Sequence, residues 1–162
     1  MMRNAPTNLA KGTVAGAIGG IVASWAMEQF QAAWLAWSGA KPGTGDPATV
    51  KAAQRLSKAV TGKAIARSDK DAAGNAVHYA TGAALGLAYG IAAEAVPGAT
   101  AGFGTAFGTA VVVALDEAAV PALGLGPPPT AAPPSAHLFG FASHLVFGIV
   151  AEATRRTVRR VL

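Results

Sequence analysis

The sequence predicts an all-α fold: an integral membrane bundle of about four transmembrane helices, one basic interfacial helix and a proline-rich loop. Three observations predict it. The 162 residues are 52% hydrophobic, and their mean hydropathy is +0.38. Only 13% are charged, roughly half the share of about 25% that a soluble domain uses to cover its surface. The uncharged residues also collect into long runs instead of alternating with polar ones. A disordered chain, a nucleic-acid-binding domain and an ordinary soluble enzyme are all disfavoured. The net charge of +5 does not reverse this, because the basic residues sit outside the apolar runs. Charges so placed set topology and touch anionic headgroups. The expected partner is therefore the lipid bilayer, and no nucleic acid is expected. With no cysteine, disulfides, thiolate metal sites and cysteine nucleophiles are excluded.

The first span is expected at about 9–37. Gly12 to Met27 carries no charge, and the helical pattern continues past Glu28 to Trp37. Arg3 and Lys11 before an apolar run resemble a signal peptide, but Glu28, Gln29 and Gln31 continue a helix where a cleavage region belongs. An interfacial helix is expected at about 47–61. Asp46 offers an N-cap acceptor, Pro47 a first-turn proline and Gly62 a stop. Ala52, Ala53, Leu56, Ala59 and Val60 fall on one face, with Lys51, Arg55 and Lys58 on the other. Such a helix lies on a membrane surface or caps the bundle.

The second and third spans are expected at about 74–95 and 99–120. Ala72–Ala93 and Ala95–Leu115 are uncharged runs of 22 and 21 residues, and a crossing needs about 20. Pro97 and Gly98 join them as a helical hairpin. Pro121 to Pro134 holds six of the ten prolines and no charge, which makes a stiff loop held against the bundle or the headgroups. The fourth span, about 136–158, ends in Arg155, Arg156, Arg159 and Arg160, whose long stems reach the interface. The whole chain reads as one membrane domain, 1–162.

Glycine recurs at four-residue intervals in these spans. Gly12, Gly16 and Gly20 mark the first, Gly82, Gly86 and Gly90 the second, Gly104 and Gly108 the third, Gly140 and Gly148 the fourth. Small residues at this spacing line one helix face and let a neighbour approach closely. Alanine- and glycine-rich composition also makes such spacings by chance, but here all four spans carry one.

Ionisable groups inside spans, here Glu28, His78, Glu94, Asp116, Glu117, His137, His144 and Glu152, each cost several kcal/mol unless they face protein, water or a partner. His137 and His144 lie about 20° apart around their helix, on the face of Gly140 and Gly148. His78 begins the glycine face of the second span. Asp116 and Glu117 end the third span within reach of a neighbour, and Glu152 lies in the fourth. These six are candidates for a proton-responsive network, since imidazole titrates near neutral pH and a neighbouring carboxylate makes a relay or switch. The plainer reading is that the acids sit near headgroups and the histidines are hydrogen-bonded core residues. A metal site from His137, His144, Asp116 and Glu117 is disfavoured, because the His-x6-His spacing is wide for one ion. No cofactor is expected. No serine or threonine sits in a nucleophile motif, so no enzyme is expected either.

His78-Tyr79, the glycine-rich run to Tyr89-Gly90, Asp116-Glu117-x3-Pro121, Leu123-Gly124-Leu125 and Pro127-Pro128 follow one another in order. Pro133, Ser143-His144, Glu152 and the arginines complete the series. Over residues 8–160 this arrangement resembles the YagU-like bacterial inner-membrane proteins. The resemblance implies a small multi-pass protein of the bacterial inner membrane, of undefined biochemistry and loosely associated with acid resistance. It carries no catalytic residues. Non-enzymatic action in acid tolerance is one expected function. A structural or assembly subunit of a larger membrane complex is another, and a small transporter working as a homo-oligomer a third. Both termini are expected in the cytoplasm. Arg3, Lys11 and the four C-terminal arginines face seven basic residues in the first loop, from Lys41 to Lys70, but the C-terminal cluster directly abuts a span.

Overall fold

The computed structural model describes residues 8–39 and 45–162. Arg3 and Lys41, which enter the orientation count, lie outside the described residues. Five helices follow in order: α1 (Leu9–Ser38), α2 (Ala48–Thr61), α3 (Lys70–Ala95), α4 (Ala101–Ala122) and α5 (Pro134–Val161). No strand occurs among the described residues. The chain is an all-α bundle.

Local chemistry sets most helix ends. Asn8 caps α1, its side chain accepting from the Lys11 N–H at 3.1 Å. Gly39 and Gly62 end α1 and α2 at φ of 65° and 72°, left-handed values that L-residues resist. The start of α2 departs from expectation. Its first residue is Ala48, Pro47 occupies the cap position, and no side chain caps it. The Asp46 carboxylate instead takes Lys70 Nζ at 2.6 Å, because a full charge partner outweighs a neutral amide donor.

Helix α4 is irregular in two places. It opens on Gly102, Phe103 and Gly104 at φ of 61°, 55° and 87°, a tight left-handed entry that lets Gly104 meet Gly148. Over Val113–Ala119 it widens, and the Val120 N–H bonds back to Leu115. Pro121 explains the widening: it lacks the N–H that would reach Glu117, and its ring would strike that carbonyl. Such π-type turns recur at functional sites, and this one carries Asp116 and Glu117.

The core is built from small residues. Helix α1 packs antiparallel on α3 with pairs in strict order: Asn8–Glu94, Gly12–Gly90, Gly16–Gly86, Gly20–Gly82 and Ser24–His78. On its adjacent face, Gly19 lies against the Ala151 carbonyl of α5. A second seam joins α4 and α5, where Gly104 meets Gly148 and Gly108 meets the His144 backbone. Gly140 is looser; a Cβ there would lie 3.4 Å from Asp116 Oδ2, ordinary contact. The Pro97–Gly98 turn forms, with Gly98 at φ 82°. Yet α3 and α4 do not join their glycine faces across it. They touch through the stacked rings of Tyr89 and Phe107, 4.1 Å between centroids, while those faces go to α1 and α5.

Large apolar side chains point outward. Ile18, Ile21, Val22 and Trp25 on α1 are 38–56% exposed, as are Leu138, Phe141 and Ile149 on α5 over a similar range. Small residues inside and large ones outside is the arrangement a bilayer favours, since lipid solvates the large side chains and close backbone contact holds the helices. Among the described residues, α1, α4 and α5 are long and apolar enough to cross a membrane by length and composition. Helix α3, at 26 residues, is long enough. His78, Tyr79, Thr81, Tyr89 and its glycines keep it less apolar, so among the described residues three of the four expected spans meet both criteria and α3 does not.

Candidate functional site

Continuing the glycine register of α1 beyond Gly20 reaches Ser24 and then Glu28. Continuing that of α3 backwards from Gly82 reaches His78. The two helices part here, because serine, histidine and glutamate replace glycine. A cavity of about 630 Å³ opens between α1, α2, α3, α4 and α5. Among the described residues, Glu28, His78, Asp116 and His144 are its ionisable lining groups, and no lysine or arginine lines it. Met27, Leu85, Val111, Leu115 and Phe147 supply apolar wall. Ala48, Thr49 and Ala52 of α2 lie over one side, with Leu123 and the buried Leu125 of the proline-rich loop. Helix α2 is held in place by Val50, packed where Gly74 has no side chain, and by Arg55, which donates to the Leu123 and Gly124 carbonyls.

Hydrogen bonds fix the protons of this site. His144 is buried, and its Nδ1 lies 2.9 Å from the Gly140 carbonyl oxygen and 3.5 Å from Asp116 Oδ2. A carbonyl only accepts, so Nδ1 carries hydrogen and Nε2 is the atom left to gain or lose one. His78 lies with Nε2 3.3 Å from the Ser24 carbonyl, the same logic placing hydrogen there. The Tyr79 hydroxyl donates to Glu28 Oε2 at 2.8 Å. Ser24 is wholly buried, and its Oγ has no hydrogen-bond partner in the structure.

The other candidates sort elsewhere. His137 Nδ1 meets Glu117 Oε1 at 2.7 Å, and its Nε2 meets the Pro129 carbonyl at 3.1 Å. Both neighbours accept, so only the doubly protonated ring satisfies both. This pair pins the proline-rich loop to α5 and stands apart from the cavity lining. The two histidines thus take separate carboxylates. Among the described residues no three His, Asp or Glu side chains gather as metal ligands would.

Glu152 lies two turns beyond His144, about 12 Å along α5 at 1.5 Å per residue, and joins a different cluster. It is 0% exposed and accepts from Tyr89 Oη at 2.9 Å, Arg155 Nε at 2.8 Å, Arg155 Nη2 at 2.9 Å and Arg156 Nε at 2.5 Å. Nearby, Glu94 accepts from Arg159 Nε at 2.6 Å and the Asn8 N–H at 3.0 Å. A carboxylate so fully paired is a structural anchor, because every lone-pair direction is used. It ties the C-terminal end of α5 to α3, where Lys11 also reaches the Leu162 carbonyl at 2.5 Å.

Sequence reasoning left Ser24 unmarked; it counted Glu28 and Glu94 among the ionisable groups inside spans but not in the proton-responsive network, and it marked Tyr79 and Tyr89 only as landmarks of the resemblance. The signal for Ser24, Glu28 and Glu94 was present: each continues a four-residue glycine register by one or two steps. Tyr79 and Tyr89 carry no such mark.

No curated protein and no solved structure matches the chain. A family model matches residues 48–153, from the first residue of α2 to the residue after Glu152, and takes in three of the four ionisable cavity groups. On that match the chain belongs to the family described as Protein of unknown function (DUF1440).

Proposed function

We propose that this chain is a non-enzymatic, multi-pass protein of the bacterial inner membrane, of the YagU-like kind, whose cavity responds to protons and so serves acid tolerance. One observation carries the reading: His144 and Asp116 face each other in a cavity that also takes in His78 and Glu28, where a dry seam would have left them only to pack. The groups around His144 are Asp116 from α4, His78 from α3 and Glu28 from α1; α2 contributes no titratable group to the lining. The cavity thus brings two carboxyl groups and two imidazoles into one space. Acid acts through this histidine–carboxyl set, changing the balance of charge between α4, α5 and the α1–α3 pair.

NMR of protein labelled at histidine and held in lipid nanodiscs tests this. The His144 ring signals are expected to respond to acidification, and Asp116→Asn, which removes the facing carboxyl group, is expected to alter that response. A His144 signal that does not respond to acid would reduce it to a core histidine and end the proposal.

A further inference from the structure

The cavity has features that proton response does not use. Its volume, about 630 Å³, falls in the range of about 300–1,000 Å³ typical of small-molecule sites. Proton exchange alone requires no such room. Among the described residues its acidic groups, Glu28 and Asp116, share the lining with no lysine or arginine. Neither carboxylate has a cationic side chain of fixed charge beside it. Glu28 takes only the neutral Tyr79 hydroxyl on Oε2, and Asp116 faces His144 at 3.5 Å. The contrast with Glu152 and Glu94 is direct, since those two are held by arginines. The opposite wall is apolar, with Met27, Leu85 and Phe147.

A strained polar group borders the cavity. The Ser24 hydroxyl is wholly buried without a partner, its Oγ packed against Gly82. A buried hydroxyl left unpaired is costly, and serine in a helix ordinarily bonds back one turn, as Ser143 does to Phe139 at 2.7 Å in α5. Ser24 makes no such bond.

We infer that the cavity is a binding site for an organic ammonium cation with an apolar body. The ammonium group sits between Glu28 and Asp116, and the body lies against Met27, Leu85 and Phe147. Helix α2 covers the site with Ala48, Thr49 and Ala52. The inference rests on the cavity that the proposed function also uses but not on its titration, so binding at fixed pH and the histidine titration can fail independently.

The test uses three probes of one skeleton: 4-phenylbutylammonium, the neutral 4-phenylbutanol and the anionic 4-phenylbutyrate. Binding to the full chain in phosphatidylcholine nanodiscs is measured at pH 7.5 by calorimetry against empty nanodiscs. The ammonium is expected to bind saturably and at least tenfold tighter than the alcohol, and the butyrate not at all. Glu28→Gln and Asp116→Asn are each expected to weaken the ammonium by tenfold or more. Glu117→Gln, whose partner is His137 outside the cavity lining, is expected to leave it unchanged. Ala52→Trp fills the site from α2 without touching its charges, and is expected to abolish binding even if a charge variant fails to fold. The inference is overturned if the ammonium binds no tighter than the alcohol, if the butyrate binds best, or if Ala52→Trp binds like the unaltered protein.

Discussion

Gly86→Ala adds a single methyl group at the centre of the α1–α3 seam. Built on the backbone, its Cβ would lie 2.7 Å from both Cα and N of Gly20, and closer still to the Gly16 carbonyl oxygen. Carbon pairs rest at about 3.5–4.0 Å, so the helices must part by about 1 Å. No rotamer can relieve this, because every blocking atom is backbone. A gap of about 0.5–1 Å forfeits roughly a quarter to a half of each dispersion contact, and the pairs on either side, Gly12–Gly90 and Gly20–Gly82, share the displacement. Overpacking of this kind costs about 2–3 kcal/mol. Alanine returns about 1 kcal/mol through its better helix propensity. The net loss is about 1–2 kcal/mol, a fall of roughly 5- to 30-fold in the folded-to-unfolded ratio. Leucine at the same site needs room for a branch as well and is expected to cost about 3 kcal/mol or more. Reversible unfolding in dodecylmaltoside micelles titrated with SDS, followed by circular dichroism, measures both. Ala88→Leu, on the exposed face of α3, is the control and is expected to stay within about 0.5 kcal/mol of the unaltered protein. If Gly86→Leu unfolds with Ala88→Leu, close glycine contact does not hold this bundle.

The Glu152 anchor gives an ordered pair of outcomes in the same assay. Glu152→Gln leaves buried Arg155 without its counter-charge and is expected to cost about 3–5 kcal/mol. Tyr89→Phe keeps the Phe107 stack and loses one hydrogen bond to a charged group, about 1.5–2 kcal/mol; equal losses would show that the tyrosine hydroxyl, not the ion pair, secures the carboxylate. Orientation is read by reporter fusions after Leu162 and within 63–70, with a cytoplasmic signal expected at the first and an external one at the second. The opposite pair of signals would invert the topology, and mixed signals at both would mean dual insertion.

Sequence alone determined the helices and their character. Hydropathy and the uncharged runs placed α1, α4 and α5 within a few residues of their observed ends, and Gly62 stopped α2 where its left-handed preference said it would. These are local properties: a residue's backbone preference and its neighbours three or four positions away decide them. The glycine faces were legible for the same reason. Which face meets which was not. All four stripes look alike in one dimension, and the short Pro97–Gly98 turn invites pairing of α3 with α4. The tertiary structure gave α3 to α1 and α4 to α5, and in those seams Gly16, Gly20, Gly86, Gly90, Gly104, Gly108 and Gly148 each lie against a facing backbone carbonyl. That choice then settled the site. It brought Ser24 opposite His78, opened the cavity where glycine gives way to larger residues, and divided the acids between two ends of the bundle. Asp116 was left to a histidine and Glu152 taken by arginines. A carboxylate's role depends on which charges share its space, and inter-helix register, a long-range property that no local pattern encodes, decides that.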